Sequence, residues 1–298
     1  MPSWQVTARM TDITIGTQQP SPPGTLAIVA TPIGNLRDIS LHALDVLRAA
    51  DVIAAEDTRN SQHLLNAYGI QAKLVALHEH NEVSAAPRII DHLQRGERVA
   101  YISDAGTPGL SDPGARLVQA VRAAGLAITP IPGPSALAAA LSVSGVEGPF
   151  WFQGFLPAKP AARRKALQNL ADLPAALVFY EAPHRIEETV SDLADLFAGE
   201  RTLIFAREIS KRFEQIQATP LAEARTWLAA DDYHRRGEFV LVLAPPTAAM
   251  PPEAHDTQRI LEILLAELPV KQAAQLTAKI TGGRKNELYE RALSIRNT

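Results

Sequence analysis

The chain is 298 residues long, 46% hydrophobic and 20% charged, and it contains no cysteine. That length suits about two domains with cores that need no staples, and the missing thiols exclude disulfides, thiolate catalysis, iron–sulfur clusters and cysteine-ligated zinc. Lys and Arg number 29 against 32 Asp and Glu, a formal charge of −3, which excludes an overall basic nucleic-acid coat but leaves room for a local basic patch.

In chain order, residues 1–23 carry neither a basic start nor an apolar run, so they read as a disordered polar tail rather than a signal peptide. The runs Ala136–Val143 and Ala175–Tyr180 fall well short of the roughly 20 residues of a membrane helix, so no membrane span is expected and the cytoplasm is the expected compartment. Order begins with a buried strand over Leu26–Ala30. Ser40 suits the cap of a helix whose apolar face is Leu41, Leu44 and Leu47. Strands follow at Val52–Ala55, Lys73–Leu77, Val99–Ser103 and Ala127–Ile131. Between them lie helices from Ser61 to Gly69, from about residue 78 to Gly96, and over Ala115–Ala124, and Pro134 is expected to open one more through Ser142. This alternation predicts an α/β domain over 24–143 with a mostly parallel sheet.

The glycines and proline of Val143–Pro149 mark a boundary. A second α/β domain is expected over 148–245, with strands at Phe150–Gln153, Ala175–Tyr180, Thr202–Ala206 and Phe239–Ala244. Its expected helices begin near Ala162, run from His184 to Phe197, and cover Leu221–Ala229. Pro245, Pro246, Pro251 and Pro252 bracket a stiff linker. A small helical domain over 253–298 follows, with helices near Gln258–Glu267, Lys271–Ile280 and Lys285–Ser294.

The most informative stretch is Ser103–Gly114, SDAGTPGLSDPG, between a strand and a helix. Ligands of open parallel sheets sit beyond the carboxyl ends of strands, and its three glycines permit close backbone approach. No Lys-Ser or Lys-Thr follows and the spacing is not G-x-G-x-x-G, so it is no phosphate loop. Asp104 instead offers a group for a cation or an amine; the plain alternative is a βα turn with Asp112 as helix cap. Thr31-Pro32-Ile33-Gly34-Asn35 and Ile131-Pro132-Gly133-Pro134-Ser135-Ala136 occupy equivalent strand ends, and three such loops in one domain make a rim.

Charged strings also sit at strand ends: Glu56-Asp57-Thr58-Arg59, His78-Glu79-His80-Asn81-Glu82, Glu181 through Arg185, Arg207-Glu208 and Arg236-Gly237-Glu238. Histidines two apart diverge on a helix and no third ligand is suitably spaced, so no metal is expected. Proton handling or substrate positioning fits these strings better. Basic residues group at Lys159, Arg163, Arg164 and Lys165, at Lys211 and Arg212, at His234, Arg235 and Arg236, and in the segment from Lys271 onward. Singly each suits a solvated face; together they point to an anionic macromolecule.

At these loops the sequence resembles the tetrapyrrole-methylase superfamily of S-adenosylmethionine-dependent methyltransferases, and within it the branch of ribosomal RNA small subunit methyltransferase I. The matching strings are Ala30–Leu36, Ala54–Arg59, Leu77–Glu82, Ser103–Gly114, Ile131–Ala136, Gly154–Lys159 and Phe179–Arg185. The His78–Glu82 string and the C-terminal helices are not expected of the tetrapyrrole branch. The resemblance implies two αβα domains with S-adenosylmethionine in the cleft between them, a homodimer, and methylation of the ribose 2′-hydroxyl of a cytidine in the decoding region of 16S rRNA of the 30S subunit. It implies a donor site of Pro32, Ile33, Asp104, Ala105, Gly106, Thr107, Ser135 and Ala136, with Tyr180, Ala206 and Glu238 from the second domain.

The implied chemistry is an in-line displacement that gains from alignment of the reacting atoms and needs a base for the hydroxyl proton. The candidate bases are Glu56, Asp57, His78 and Glu181. Arg59, Arg163, Arg164, Lys165 and Arg185 are the candidate substrate contacts. Three other readings compete. A methylase of a small tetrapyrrole would need neither the basic groups nor the extra helices. A nucleotide-linked oxidoreductase lacks its glycine fingerprint here. A non-catalytic RNA-binding module does not explain the crowded polar strand ends.

Overall fold

The computed structural model describes residues 21–246 and 252–296. Strands β1 (Thr25–Val29), β2 (Val52–Ala55), β3 (Lys73–Ala76), β4 (Val99–Ile102) and β5 (Ala127–Ile131) alternate with helices α1 (Leu41–Ala49), α2 (Thr58–Ala67), α3 (Glu82–Gln94), α4 (Ala115–Ala123) and α5 (Ala136–Ser144). The strands pair wholly in parallel in the order β3-β2-β4-β1-β5. Successive strand side chains point to opposite faces, and both faces are covered. Ala27, Val29, Ile53 and Ile102 meet Leu44 and Leu47 of α1 and Leu65 of α2 on one side. Leu26, Val52, Val99 and Tyr101 meet Ile89 of α3 and Leu117 of α4 on the other. Neighbouring β1 and β4 send the chain to opposite sides of the sheet, so their carboxyl ends form the switch point where α/β ligands sit.

The second layer holds β6 (Phe150–Phe155), α6 (Pro160–Gln168), β7 (Ala176–Glu181), α7 (Ile186–Leu196), β8 (Thr202–Arg207), β9 (Gln215–Pro220), α8 (Ala224–Ala230) and β10 (Phe239–Leu243). Its order is β6-β7-β10-β8-β9, and only β6 and β7 run parallel. Leu167, Val190, Leu193 and Leu228 from α6, α7 and α8 cover one face. The other face receives α5 of the first domain, whose Ala140 packs with Val178, Ile204 and Val242. The almost wholly apolar α5 thereby fastens the two sheets together. Helices α9 (Pro252–Glu267), α10 (Val270–Thr281) and α11 (Lys285–Arg296) close on their own core of Leu261, Val270, Ala274, Leu288 and Ala292.

Several boundaries differ from expectation. Helix α2 begins at Thr58 because the Asp57 side chain accepts from the Arg59 N–H at 2.8 Å and caps it. Pro134 precedes α5 rather than opening it, since Ser135 is the cap. Strand β9, an edge strand of mostly polar residues, was not expected. Pro252 is the first residue of α9, not part of the linker, and Pro251 lies outside the described residues. Residues 1–20 of the expected tail also lie outside them. Ser21 is buried, and its carbonyl accepts from Arg98 Nε at 2.9 Å.

Candidate active site

Hydrogen bonds stitch the three Pro/Gly loops together at the carboxyl ends of β1, β4 and β5. Thr31 and Gly106 exchange both backbone bonds, at 2.8 and 3.0 Å. The Thr107 hydroxyl donates to the Pro134 carbonyl at 3.0 Å. Gly106 has φ +80°, and a Cβ there would stand 3.3 Å from the Ile33 methyl, so only glycine suits the crossing.

Carboxylates crowd the adjoining wall. Asp104 accepts from the Asp57 N–H at 3.1 Å and from the Asn60 amide at 3.2 Å, which ties the β4 loop to the start of α2. Its own N–H donates to Glu56 at 3.4 Å. Burial pushes the Glu56 carboxyl above the ordinary glutamate value; the Asp104 N–H pulls it back, and the charges of Asp104, Asp112 and Asp57 add to the rise. Asp112 is raised too, by burial foremost and by the Asp104 charge, against a hydrogen bond from Ser103. Burial likewise raises Tyr101, beneath these acids, so its phenol stays neutral.

The second domain supplies the facing wall. The Tyr180 hydroxyl accepts from the Leu137 N–H of α5 at 3.2 Å, and its ring meets Phe152 and Phe155 edge-on. Beyond β8 the chain turns through Glu208 and Ser210 at φ +51° and +66°, values that cost a non-glycine residue energy. Lys211 Nζ donates to Glu208 and Glu238, at 2.9 Å each, and these carboxylates outweigh burial and hold its pKa above the ordinary lysine value. The stem of Lys211 crosses Gly34, where a Cβ would stand 2.3 Å from its Cγ. The Ser210 hydroxyl donates to Asp38. This turn thus reaches from one domain to the other.

Between the walls lies a cavity of about 530 Å³. Of the implied donor residues, Ile33, Asp104, Ala105, Gly106, Thr107, Ser135, Ala136, Tyr180, Ala206 and Glu238 line it, and Pro32 does not. Among the candidate bases Glu56 and Glu181 line it, whereas Asp57 and His78 do not. Asp57 is occupied as a cap, and the Arg59 N–H foremost holds its carboxyl below the ordinary range. Glu181 is 1% exposed and accepts from Thr189 Oγ1 at 2.6 Å and the Ala182 N–H at 2.9 Å, which fixes the corner between β7 and α7. Glu82 also turns inward, accepting from the Gly114 and Leu117 N–H groups to cap α4.

The basic candidates need correction. Arg163 is not on an exposed face: it is 2% exposed, with Nε 2.6 Å from Asp192 and Nη1 3.0 Å from Glu188. Arg164 pairs with Asp192 and Asp195 at 2.7 and 3.2 Å, and only Lys165 stands exposed. The pairing acids lie on α7, far along the chain, and the opposite charge draws the helices together. Arg185 donates to the Leu156 and Pro157 carbonyls at 2.6 and 3.1 Å, so it clamps a loop. Arg59 stays at the surface, 3.7 Å from Asp57. Sequence reasoning read Asp112 as a possible helix cap and placed His184 and Glu208 in charged strings at strand ends, but it named no specific site residue among Asp112, Phe155, His184, Glu208, Ile209 and Lys211, which also line the cavity. The strand-end position of Arg207-Glu208 was the signal for the last three. Among the described residues no three His, Asp or Glu side chains converge as a metal site requires.

Residues 25–225 match the family model of the tetrapyrrole (corrin/porphyrin) methylases, and 251–296 match the RsmI C-terminal HTH domain. The ribosomal RNA small subunit methyltransferase I of Pseudomonas aeruginosa is 52% identical over 91% of this chain and 97% of its own length. The protein of that name from Escherichia coli O157:H7 is 45% identical over 91% and 95%. The fold is shared with uroporphyrin-III-C-methyltransferase from Thermus thermophilus, at TM-score 0.53 and 20% identity over 74% of this chain and 94% of that one. It is shared with diphthine synthase too, at TM-score 0.54 and 16% identity over 74% and 90%. The solved structures share the two-sheet fold, and the family-model matches with relatives 45–52% identical over nearly the whole chain place it among the tetrapyrrole methylases, as a member of the ribosomal RNA small subunit methyltransferase I family.

Proposed function

We propose that the protein transfers the methyl group of S-adenosylmethionine to the ribose 2′-hydroxyl of a cytidine in 16S rRNA of the 30S subunit, working in the cytoplasm as a homodimer. The observation that carries this reading is the cavity itself, walled by Glu56, Asp104 and Asp112 on one side and by Tyr180 and the Lys211 turn on the other. The residues present fit the donor. The volume suits a small-molecule site. Ile33, Leu110, Ile209 and Val240 offer apolar surface for a base, the loops offer backbone groups, and the carboxylates favour a cation. When bound, the donor supplies a methyl carbon on a positively charged sulfur.

The chain's own residues do the rest. Asp104, with two of its acceptor sites already fixed by Asp57 and Asn60, is rigidly held to take a further hydrogen bond. Glu56 takes the hydroxyl proton, because it alone of the four candidate bases both lines the cavity and keeps a carboxylate largely free of fold-fixing bonds. Its raised pKa makes it a stronger base than an ordinary glutamate. Ser135 and Ala136 line the cavity at the N-terminus of α5, where a helix leaves its first N–H groups without intrahelical partners. The relatives' names support an RNA substrate, as do Lys271, Lys279, Arg284, Lys285, Arg291 and Arg296 in the C-terminal segment. For the dimer, edge strand β6 exposes Phe150 and Trp151, and the end of α5 exposes Val143.

Titration calorimetry with S-adenosylmethionine tests the donor site. Asp104→Ala is expected to lower affinity about tenfold or more, since a hydrogen bond to a charged group contributes roughly 1.5–3 kcal/mol. Unchanged affinity in the folded variant, or preferential binding of NAD by the wild type, would remove the site from this role.

A further inference from the structure

The cations nearest the cavity fall into two classes. Lys211 is paired with Glu208 and Glu238, Arg235 with Glu187 and Asp232, and Arg185 is turned toward Glu181 and two carbonyls. Arg212 and Arg236 differ, for both are exposed and neither has an ion pair among the described residues. Each instead stands over an exposed aromatic ring. The Arg212 guanidinium carbon lies 5.5 Å from the centroid of Phe213, and that of Arg236 lies 5.1 Å from the centroid of Tyr233. The rings are 61% and 60% exposed, so they contribute little to any core.

Both pairs sit on loops that continue directly into the cavity wall. Arg212 follows Lys211, and Arg236 precedes Glu238 by two residues. The two loops are bonded to each other. Arg207 Nη1 donates to the Arg236 carbonyl at 3.2 Å, the Glu208 N–H donates to the Glu238 carbonyl at 2.9 Å, and the Glu238 N–H returns to the Glu208 carboxylate at 2.9 Å. The strained turn through Glu208 and Ser210 is thus held rigid where it carries Arg212 outward.

We infer that Arg212–Phe213 and Arg236–Tyr233 form a stacking platform for single-stranded RNA, taking the nucleotides that flank the one entering the cavity. This deepens the proposed function and rests on it. Proteins read single strands by stacking splayed bases on aromatic rings and arginine planes while unpaired cations follow the phosphates. Two aromatic faces and two uncompensated positive charges beside one cavity supply those parts. Charge decides between RNA and a protein partner, because an apolar protein contact gains nothing from burying two unneutralised guanidinium groups.

The test compares the full-length wild type with Phe213→Ala/Tyr233→Ala, with the ring-keeping Phe213→Tyr/Tyr233→Phe, and with Arg212→Gln/Arg236→Gln. The readouts are methyl-transfer kinetics on 30S subunits and on naked 16S RNA, donor calorimetry, and size-exclusion chromatography. The alanine pair is expected to raise KM for RNA about tenfold or more, given the usual worth of base–aromatic stacking. The rise falls on KM rather than kcat, donor affinity stays unchanged, and the ring-keeping pair behaves as wild type. The glutamine pair is expected to flatten the log–log salt slope by about 1.4, at roughly 0.7 per single-strand phosphate contact. A wild type that methylates RNA, with both disruptive pairs keeping its KM and salt slope, overturns the platform and leaves the proposed function standing. Those unchanged values with a smaller species on the column would assign the rings to a subunit contact instead. A wild type that methylates no RNA overturns both.

Discussion

In the proposed reaction Glu56 carries the most chemistry for a single side chain. Its burial and the acids around it raise its pKa above the ordinary 4.5. The folded state therefore holds that proton more tightly than the unfolded chain does. The resulting stability is present below the ordinary value and is lost as pH climbs through the raised one. Glu56→Gln is expected to melt no lower than the wild type at neutral pH while losing about 100-fold or more in kcat, the usual worth of a general base. The acid limb of the wild-type kcat/KM profile should lie above pH 4.5 and vanish in the variant. A variant with wild-type turnover would exclude Glu56 as the base. At this scale Ile33 and the Asp104–Thr107 loop were legible, because each stands just past a buried apolar strand. Whether an acid faced the ligand or the fold was not legible. Glu181 and Glu82 read as site acids in the sequence, yet both are spent on backbone N–H groups brought close only by folding.

Among the elements, α6 and α7 show what a basic run can mean. Arg163, Arg164 and Lys165 read as a solvated RNA face, but Asp192 and Asp195 lie one helix away and neutralise the two arginines. Breaking a buried ion pair from one side costs about 3–5 kcal/mol because the remaining charge stays desolvated. Arg163→Ala should lose about that much in urea unfolding, while Lys165→Ala should lose almost nothing. Equal and small losses would show that the pair does not hold α6 in place. The inner strands β1, β2 and β4 were readable as short apolar runs because both of their faces are buried, whereas the edge strands β3 and β5 are only partly covered and were marked by their place in the strand–helix alternation. Strand β9 escaped notice because its apolar Ile216 and Ala218 stand exposed while its more covered positions are the polar Gln215, Gln217 and Thr219, so no buried apolar alternation marks it. Helix α2 was placed late because its cap is an aspartate that also belongs to a charged string.

On the scale of the whole molecule, two contacts set the cleft: α5 lying on the second sheet and the Ser210–Lys211 turn lying on Gly34 and Asp38. Gly34→Ala places a methyl inside the space of the Lys211 stem and is expected to weaken donor binding without lowering the melting temperature of either sheet's core; unchanged affinity would show that the turn does not shape the cavity. Chains lacking residues 247–298 should keep donor affinity, since α9 to α11 build a core of their own, and should show a raised KM and a shallower salt slope for RNA. The α/β alternation made the two-domain plan legible, but the mostly antiparallel pairing of the second sheet was not, since strand direction depends on which edge each connection reaches. The most direct test of the function is to incubate the purified wild type with S-adenosylmethionine and 30S subunits lacking the modification, then hydrolyse the 16S RNA in alkali. A 2′-O-methyl group removes the nucleophile that cleaves the adjacent phosphodiester, so the expected result is one new alkali-resistant bond, 3′ to a cytidine, absent with Glu56→Gln. Methyl incorporation that leaves every bond alkali-labile, or incorporation into a base, would contradict ribose methylation at this site.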